Sequence, residues 1–416
     1  MLPETPWLLL LLGVLSALLA SNALRPRRSQ LLLVVSFFAA WLTTELPLHL
    51  LGVELGVFLL LLSKGALDGM TLPGLVGVVL LLASWAALLH IQRTASGAER
   101  AIRAALGGVG IDLGPPLLRY PRSHLIAPPL MLWRRDVEVE RDVLFSEPGQ
   151  PRLHLDIYRA RGPAAKRRPA IVQVHGGAWL VGFKQYQGIP LLTHLAANGW
   201  VGFNVDYRLS PRAAFPDHLI DIKRAVAWIR EHADELGVDP DFIIVTGGSA
   251  GGHLTALMAL TANDPEYQPG FERVDTQVQG AVVFYGVFDI ANSLNNKPPG
   301  YLRFMERVLM KKRFRDDPEA FRRASPIERI HADAPPVFVI HGARDNVASV
   351  HDARAFVEQL RAKSDDLVLY AELPGAAHAF DIFPSVRTLA TIEAVERFLG
   401  RLHQAHRLGA RARRPR

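Results

Sequence analysis

Three almost uninterrupted apolar blocks open the chain, at residues 6–20, 31–62 and 72–89. A helix needs about 20 residues to cross the roughly 30 Å of hydrocarbon in a bilayer. The first and last blocks therefore each predict one membrane span once their edges are included. The middle block is too long for one span and is interrupted by polar residues such as Glu45 and Glu54. It predicts two short helices, or one span with a re-entrant piece.

A cleavable secretory signal is the main alternative for the first block. No basic residue precedes that block, however, and further apolar blocks follow it, so we expect a membrane-embedded segment. Residues 1–95 are thus predicted to form three or four transmembrane helices, as in an integral, multi-pass membrane protein.

Beyond residue 130 the pattern changes to short apolar runs that alternate with helix-like stretches. Such alternation is typical of an α/β protein with a mostly parallel sheet and helices on both faces. We expect a linker over residues 96–130, with a short amphipathic helix at 98–106, a catalytic domain over 131–402 and a basic, disordered tail over 403–416. The strand-like runs are residues 170–174, 201–205, 242–245, 281–285, 337–340 and 367–370.

The composition excludes cysteine-based chemistry and shows where the net positive charge lies. Cysteine is absent, which excludes disulfides and a thiolate nucleophile. The net charge of +7 is concentrated in residues 401–416, which carry six arginines and no acid. Beside a membrane module such a tail suits anionic lipid better than nucleic acid, with a disordered solubilising tail as the alternative. We therefore expect membrane lipid as a partner and no nucleic acid, and the oligomeric state stays open.

Clusters of arginine follow the first and the last predicted span. Basic residues favour the cytoplasmic side of a membrane. Three crossings would bring both clusters and the catalytic domain to the cytoplasmic face, which is the arrangement we expect, whereas four would leave the domain outside. The residues are Arg25, Arg27 and Arg28 in the first cluster and Arg93, Arg100 and Arg103 in the second.

Ser249 lies in a sharp turn between a strand-like run and a helix-like stretch. Its neighbours Gly247, Gly248, Ala250 and Gly251 are all small. A serine held in such a turn is pushed clear of the sheet, and larger neighbours would collide with the adjacent strand or helix. The pattern predicts a nucleophile.

Three further elements needed for acyl transfer surround this serine. The run His175-Gly176-Gly177-Ala178-Trp179 follows a strand, and its glycines let backbone N–H groups turn toward a bound carbonyl oxygen. Asp345 lies in the loop after one downstream strand, and His378 lies in a Gly/Ala-rich loop after the next. The order serine, aspartate, histidine is expected when the three follow successive parallel strands. His175, His253 and His341 are the competing histidines, and Asp333 and Asp352 the competing acids.

The motifs around His175, Ser249 and His378 are joined by a fourth, the run Asp206-Tyr207-Arg208-Leu209-Ser210-Pro211. Together they resemble the hormone-sensitive-lipase-like branch of the α/β-hydrolase fold. That branch includes carboxylesterases and neighbours feruloyl-esterase-like and arylformamidase-like enzymes. The resemblance covers residues 135 to 400. Ala178 stands where a third glycine is usual, and Gly248 where an acid is usual. In that family an insertion such as residues 290–329 caps the active site. The motifs are His175-Gly176-Gly177, Asp206-Tyr207-Arg208-Leu209-Ser210-Pro211, Gly248-Ser249-Ala250-Gly251-Gly252 and Gly375-Ala376-Ala377-His378-Ala379-Phe380.

The predicted function is that of a membrane-anchored serine hydrolase that cleaves carboxylic esters of apolar acyl groups through an acyl-enzyme. Ser249, His378 and Asp345 would form the triad, and the N–H groups of Gly177, Ala178 and Ala250 would bind the oxyanion. No cofactor or metal is implied. An acyltransferase or an arylformamidase-like amide hydrolase would use the same residues, and a catalytically silent binding module is a further alternative. The side chains expected either in an apolar pocket or in the core are Trp179, Phe183, Tyr285 and Phe380.

Overall fold

The computed structural model describes residues 4–27, 32–111, 120–128, 132–147, 149–162 and 167–410. Arg28, part of the predicted linker and residues 411–416 of the predicted tail therefore lie outside the described residues. Among the described residues, five α-helices precede the sheet: α1 (Thr5–Leu24), α2 (Leu33–Glu45), α3 (Pro47–Ser63), α4 (Leu72–Ser96) and α5 (Ala98–Gly107). The last of these confirms the amphipathic helix expected at residues 98–106.

The apolar helices provide two candidate membrane spans, or three. Helix α1 and the continuous α4–α5 helix are each long and apolar enough to cross a bilayer. Helices α2 and α3 qualify only as a pair, and they are bent by 91°. The bend falls at Pro47, whose ring and missing N–H cannot continue the preceding helix. Within the described part of the chain, a fourth separate span is absent.

Helices α1 and α4 lie side by side and run in the same direction. Leu9 packs with Leu81 near one end of the pair, together with Ala66 from the α3–α4 connection. Ala23 packs with Leu88 and Ile91 near the other end. The C-terminal ends of α1 and α4 are therefore on the same side of the helical module.

In the part of the chain that the structure describes, the predicted catalytic domain is built on one sheet of eight strands in the order β1-β2-β4-β3-β5-β6-β7-β8. The pairs β1–β2 and β2–β4 are antiparallel, and all the other pairs are parallel. The strands are β1 (Val137–Leu144), β2 (His154–Ala160), β3 (Arg168–Val174), β4 (Val201–Val205), β5 (Val238–Gly248), β6 (Gly280–Phe284), β7 (Val337–Gly342) and β8 (Val368–Leu373). The sequence analysis identified the last six and missed the first two.

Helices cover both faces of this sheet. They are α6 (Ile189–Ala197), α7 (Asp217–Glu231), α8 (Ala233–Leu236), α9 (Ala250–Leu260), α10 (Tyr301–Met305), α11 (Pro318–Arg323), α12 (Val350–Lys363) and α13 (Val386–Arg407). Alternate strand residues enter two separate cores: Val172 and Val245 pack on one side of the sheet, and Ile171 and Ile244 on the other. A strand that is buried on both faces is a continuous apolar run in the sequence. This is why the apolar runs predicted a parallel sheet. The predicted α/β-hydrolase fold is confirmed.

The end of the chain differs from the sequence prediction. Helix α13 continues to Arg407, so residues 403–407 are helical and the expected disordered tail does not begin at residue 403. Leu402 and Ala405 of this last turn are buried in the core that includes Phe242. Apolar residues therefore continue into the arginine-rich end of α13, and their burial holds that end of the helix against the core.

Candidate active site

Four side chains of interest follow four neighbouring strands at the carboxyl edge of the sheet. Ser249 follows β5, Tyr285 follows β6, Asp345 follows β7 and His378 follows β8. Because the carboxyl ends of parallel strands lie at the same edge of a sheet, the topology alone brings these residues into one region.

Ser249 occupies a strained turn between β5 and α9. Its φ of 60° and ψ of −121° lie outside the regions that a non-glycine residue normally adopts. The backbone N–H of Ser249 donates to the carbonyl oxygen of Phe284, at 3.0 Å, which fixes the turn to the end of β6. Ala250 is the first residue of α9. At that position a helix leaves its N–H groups without an intrahelical acceptor, and its dipole favours negative charge.

The glycine-rich loop after β3 lies directly against this turn. A Cβ added at Gly176 would come within 2.6 Å of the Gly248 carbonyl oxygen and 3.0 Å of the Ser249 Cβ. Gly177 and Ala178 have positive φ values of 121° and 53°, so the chain turns sharply beside the serine. Gly176, which precedes the predicted oxyanion residues Gly177 and Ala178, therefore lies against Ser249 with no space for a side chain.

Buried hydrogen bonds also hold this loop in position. The Gly176 N–H donates to Oε1 of Gln187 at 2.6 Å, and the Tyr207 hydroxyl donates to the His175 carbonyl oxygen at 2.9 Å. Burial lowers the pKa of His175, whose ring stacks on Tyr207 with 4.4 Å between centroids. Lys184, a little further along the loop, donates to Asp206 at 3.0 Å. His175 and Asp206 thus support the loop.

Asp345 and His378 are joined by a short hydrogen bond. Nδ1 of His378 lies 2.6 Å from Oδ2 of Asp345. The other carboxylate oxygen accepts from the N–H groups of Val347 and Ala348, each at 2.8 Å. Burial alone would raise the pKa of Asp345, but the charge and hydrogen bond of His378, with these further contacts, hold that pKa below its usual value. The buried aspartate is thus kept ionised and aligned with the imidazole.

Tyr285 connects the serine turn to this histidine. Its ring lies 4.6 Å from the His378 ring, and a Cβ added at Gly248 would come within 2.6 Å of its hydroxyl oxygen. The tyrosine therefore fills the space that a side chain at residue 248 would need. This explains in physical terms why a glycine stands there in place of the acid usual in the resembled family.

Two comparisons with known proteins bear on this geometry. The family model BD-FAE matches residues 155–360. Over 414 residues the chain is 41% identical to a probable carboxylic ester hydrolase, LipM of Mycobacterium tuberculosis, a match that covers 96% of this chain and 94% of that protein. The chain belongs to the carboxylic ester hydrolases of α/β-hydrolase fold. It is an enzyme, and its substrate is a small-molecule ester.

Further relatives match a smaller share of this esterase. Esterase LipQ of M. tuberculosis is 45% identical over 279 residues, which are 67% of this chain and 66% of that protein. A thermophilic esterase of Thermogutta terrifontis, solved with butyrate bound, has a TM-score of 0.53 and 30% identity over 64% of this chain and 94% of its own. The similarity to LipM is longer and includes most of the N-terminal helices.

The four predicted pocket residues of the esterase do not form one cluster. Trp179 is buried and donates from Nε1 to Nδ1 of His253, at 3.3 Å. Phe183 is 62% exposed. Tyr285 and Phe380 are in contact, with 5.3 Å between ring centroids, and only Tyr285 of these four is seen in contact with the His378 ring. Burial lowers the pKa of His253 to about 4, which is consistent with a structural histidine.

Two residues near His378 were missed by the sequence analysis. Asp381 accepts a hydrogen bond from the Tyr285 hydroxyl. Phe37 of α2 packs its ring edge-on to the His378 ring, with 5.9 Å between centroids. Asp381 follows His378 by only three residues in the sequence, and this proximity could have identified it. Phe37 offered none, because an apolar block predicts a helix without predicting what the helix contacts.

The sequence implies no metal centre. Within the described ranges, no group of three or more His, Cys, Asp or Glu side chains is arranged to hold a metal ion.

Proposed function

We propose that this esterase is a membrane-anchored serine hydrolase in which Ser249 is the nucleophile, His378 the general base and Asp345 the carboxylate that orients the base. The observation that carries the proposal is the 2.6 Å hydrogen bond between His378 and Asp345, formed at the same sheet edge as the strained turn of Ser249. The aspartate–histidine bond is the one that orients the base in these roles.

Acylation begins when the Ser249 hydroxyl attacks the ester carbonyl and its proton passes to Nε2 of His378. The new imidazolium is stabilised by Asp345, which also holds the reactive tautomer. The carbonyl oxygen becomes an oxyanion that the N–H groups of Gly177, Ala178 and Ala250 receive. Each such donor contributes about 3 to 4 kcal/mol to transition-state stabilisation.

The intermediate then collapses. The carbon–oxygen bond to the alcohol breaks, and the His378 proton goes to the departing alkoxide, which leaves an acyl ester on Ser249. Water attacks that ester while His378 removes its proton. The acid is released and the proton returns to Ser249. This sequence needs no cofactor.

The substrate in this proposal is an ester of an apolar acyl group. Apolar rings are present close to the proposed base, since Tyr285 and Phe37 both contact the His378 ring. The butyrate-bound structure of the T. terrifontis relative supports a carboxylic acid as the product. The motifs that resemble the hormone-sensitive-lipase-like branch support the same substrate class.

The membrane anchor is the second part of the proposal. Residues 1–95 would hold the catalytic domain, residues 131–402, against the bilayer. The carbonyl oxygen of Arg27, after α1, accepts from Asn346 at 3.0 Å, and a Cβ at Gly375 would meet Thr94 of α4 at 2.7 Å. Both candidate spans thus end beside the catalytic domain.

The exposed arginines near these ends support a cytoplasmic catalytic face. Arg25, Arg27 and Arg93 lie at the ends of α1 and α4 that are near the catalytic domain. A fluorescent protein fused after Arg416 should therefore be bright, and an alkaline phosphatase fused there should be inactive. A dark fluorescent fusion with strong phosphatase activity would contradict this orientation.

Ser249→Ala tests the catalytic proposal. Loss of the nucleophile typically costs about 10⁶-fold in rate, so the full-length variant should lose hydrolysis of p-nitrophenyl acetate and labelling by a fluorophosphonate probe. Ser293→Ala, on the insertion, is the matched control and should retain both. A Ser249→Ala variant that keeps about a tenth of the activity would exclude the proposed nucleophile. Product analysis with added alcohols distinguishes hydrolysis from acyl transfer.

A further inference from the structure

One face of α2 lies on the loop that carries His378. Phe37 contacts the His378 ring, and one turn later Trp41 stacks on Phe37 with 6.1 Å between centroids and 4° between ring planes. Trp41 also contacts Phe383, at 5.1 Å. Residues four apart on a helix share a face, so these two aromatic rings form one continuous wall beside the proposed base.

Trp41 also brings an unused hydrogen-bond donor to this wall. Its Nε1–H is buried and meets no acceptor among the described residues. Buried donors are rarely left without an acceptor in native proteins. An oxygen atom of a bound ester would satisfy this one.

Buried polar contacts hold α2 in this position. Glu45, the last residue of α2, pairs with Arg387 at 2.7 Å between Oε1 and Nη1, and both side chains are buried. Arg387 also donates to the Thr44 carbonyl oxygen at 2.8 Å, and Ser385 donates to Glu45 at 2.8 Å. Ser385 and Arg387 lie at the start of α13, just after the loop that carries His378. The end of α2 is therefore fixed to the catalytic domain.

The neighbouring face of α2 is apolar and exposed. Val34, Val35, Phe38 and Leu42 are 65%, 69%, 51% and 46% exposed, and their spacing places them along one side of the helix. A soluble protein rarely exposes such a row, whereas a lipid surface would cover it. Phe38 is half exposed at the edge of this face, and its ring centroid lies 4.9 Å from that of Phe37.

The 91° bend between α2 and α3 fits this division of faces. If α3 crosses the bilayer beside α1 and α4, the axis of α2 must lie roughly parallel to the plane of the membrane. It would then lie at the interface between the bilayer and the catalytic domain. Its exposed face would meet lipid, and its other face meets the loop of His378.

We propose that α2 is an interfacial helix whose Phe37 and Trp41 guide the acyl chain of a membrane-resident lipid ester from the bilayer to Ser249. The inference rests on the proposed roles of Ser249, His378 and the membrane anchor, and it names the substrate class. Phe37 and Trp41 are specificity-determining residues: they bind the acyl chain and take no part in proton transfer.

Two substrates separate this role from a general structural one. The full-length protein is reconstituted in phosphatidylcholine vesicles and assayed with water-soluble p-nitrophenyl acetate and with bilayer-embedded 4-methylumbelliferyl oleate. Phe37→Ala and Trp41→Ala should each lower kcat/KM for the oleate by about tenfold or more, mainly through KM, because apolar pocket contacts discriminate by about this factor. Activity on the acetate should fall by clearly less than activity on the oleate, because an acetyl group lacks the chain that this wall would bind.

Leu42→Ala is the control, since it removes an exposed apolar side chain of α2 that lies further round the helix from Phe37 and Trp41. It should leave both activities within about twofold. Phe37→Leu, which keeps apolar bulk, should restore most of the oleate activity. Equal losses on both substrates, or no loss on the oleate, would overturn the inference. Ser249→Ala is run in parallel: activity retained there would refute the catalytic proposal instead.

The position of α2 is tested separately. Because the chain contains no cysteine, Val35→Cys provides a single site for a nitroxide label. The label should be relaxed by oxygen, which concentrates in the bilayer, more strongly than by a water-soluble nickel chelate. Stronger relaxation by the nickel chelate would place this face in water, and protection from both reagents would indicate a contact with a second copy. Either result would overturn the interfacial position.

Discussion

Asp345 has two histidine neighbours at the same carboxylate oxygen: Nδ1 of His378 lies 2.6 Å from Oδ2 and Nε2 of His341 lies 3.4 Å from it. His341 is a residue of β7 and is completely buried, and its Nε2 also lies 3.3 Å from the Ala348 carbonyl oxygen. Burial lowers the pKa of His341. His378 lies in the loop after β8 and contacts Tyr285, which reaches the serine turn. The two histidines therefore have unequal roles.

Asp345→Asn should reduce kcat by about 10⁴-fold, because an amide neither stabilises the imidazolium nor enforces the reactive tautomer. The assay is hydrolysis of p-nitrophenyl acetate by the full chain in detergent, with circular dichroism to verify the fold. A loss smaller than about tenfold would indicate that another acid orients the base.

The two histidines can be compared directly. His378→Gln should lose about 10⁴-fold or more in kcat, since no base then accepts the serine proton. His341→Gln should lose no more than about tenfold, because the residue acts only by positioning Asp345. The pH profile of kcat distinguishes the cases: His341→Gln should keep the wild-type profile shape. Equal losses in the two variants would contradict the assignment of His378.

The loop after β3 supplies the next prediction. In Gly176→Ala the new Cβ would lie 2.6 Å from the Gly248 carbonyl oxygen, and backbone atoms cannot yield as a flexible side chain would. The loop must shift, and a misplacement of about 1 Å can cost about 10²-fold in kcat. Gly400→Ala is the control, since a Cβ there meets nothing within 4 Å. Unchanged kcat in Gly176→Ala would place the oxyanion donors elsewhere.

The sequence predicted the catalytic part of the fold well because that part follows local rules. Parallel strands buried on both faces are recognisable as apolar runs, and Ser249 lies in a turn whose small neighbours are visible in the sequence. The half-exposed edge strand β1 was missed, because its valines alternate with charged residues such as Glu138 and Glu140 and form no continuous apolar run. The contact of Phe37 with His378 could not be predicted, because it depends on how two modules pack.

The buried ion pair of Glu45 and Arg387 supports this packing and can be tested by stability. Arg387→Met leaves the Glu45 carboxylate buried without its partner, which typically costs about 3 to 5 kcal/mol. The measurement is thermal unfolding of the full chain in detergent. The double variant Glu45→Gln/Arg387→Met should recover most of that loss, because no uncompensated charge remains. A double variant less stable than Arg387→Met would show that the charge is not the cause.

Asp381 supplies a prediction about pH. Burial raises the pKa of this carboxyl to about 6 from its usual value of 3.8, against the lowering effects of the Tyr285 hydrogen bond and the His378 charge. Between these two pH values the folded protein binds a proton that the unfolded chain releases. The stabilising contribution of this group is therefore present below the unfolded pKa and is lost as the pH rises through about 6.

Asp381→Asn removes this titration and keeps an oxygen that accepts from Tyr285. The Tm of the wild type relative to that of Asp381→Asn should therefore fall by several degrees as the pH is raised from about 5 to about 8. Thermal unfolding of both proteins in the same detergent across that range measures the difference. Glu306→Gln, an exchange at a carboxylate on the insertion, serves as the control and should track the wild type. A wild-type Tm that rises relative to Asp381→Asn over this range would mean that the buried carboxylate is stabilised as an anion, and that Tyr285 and His378 outweigh its burial.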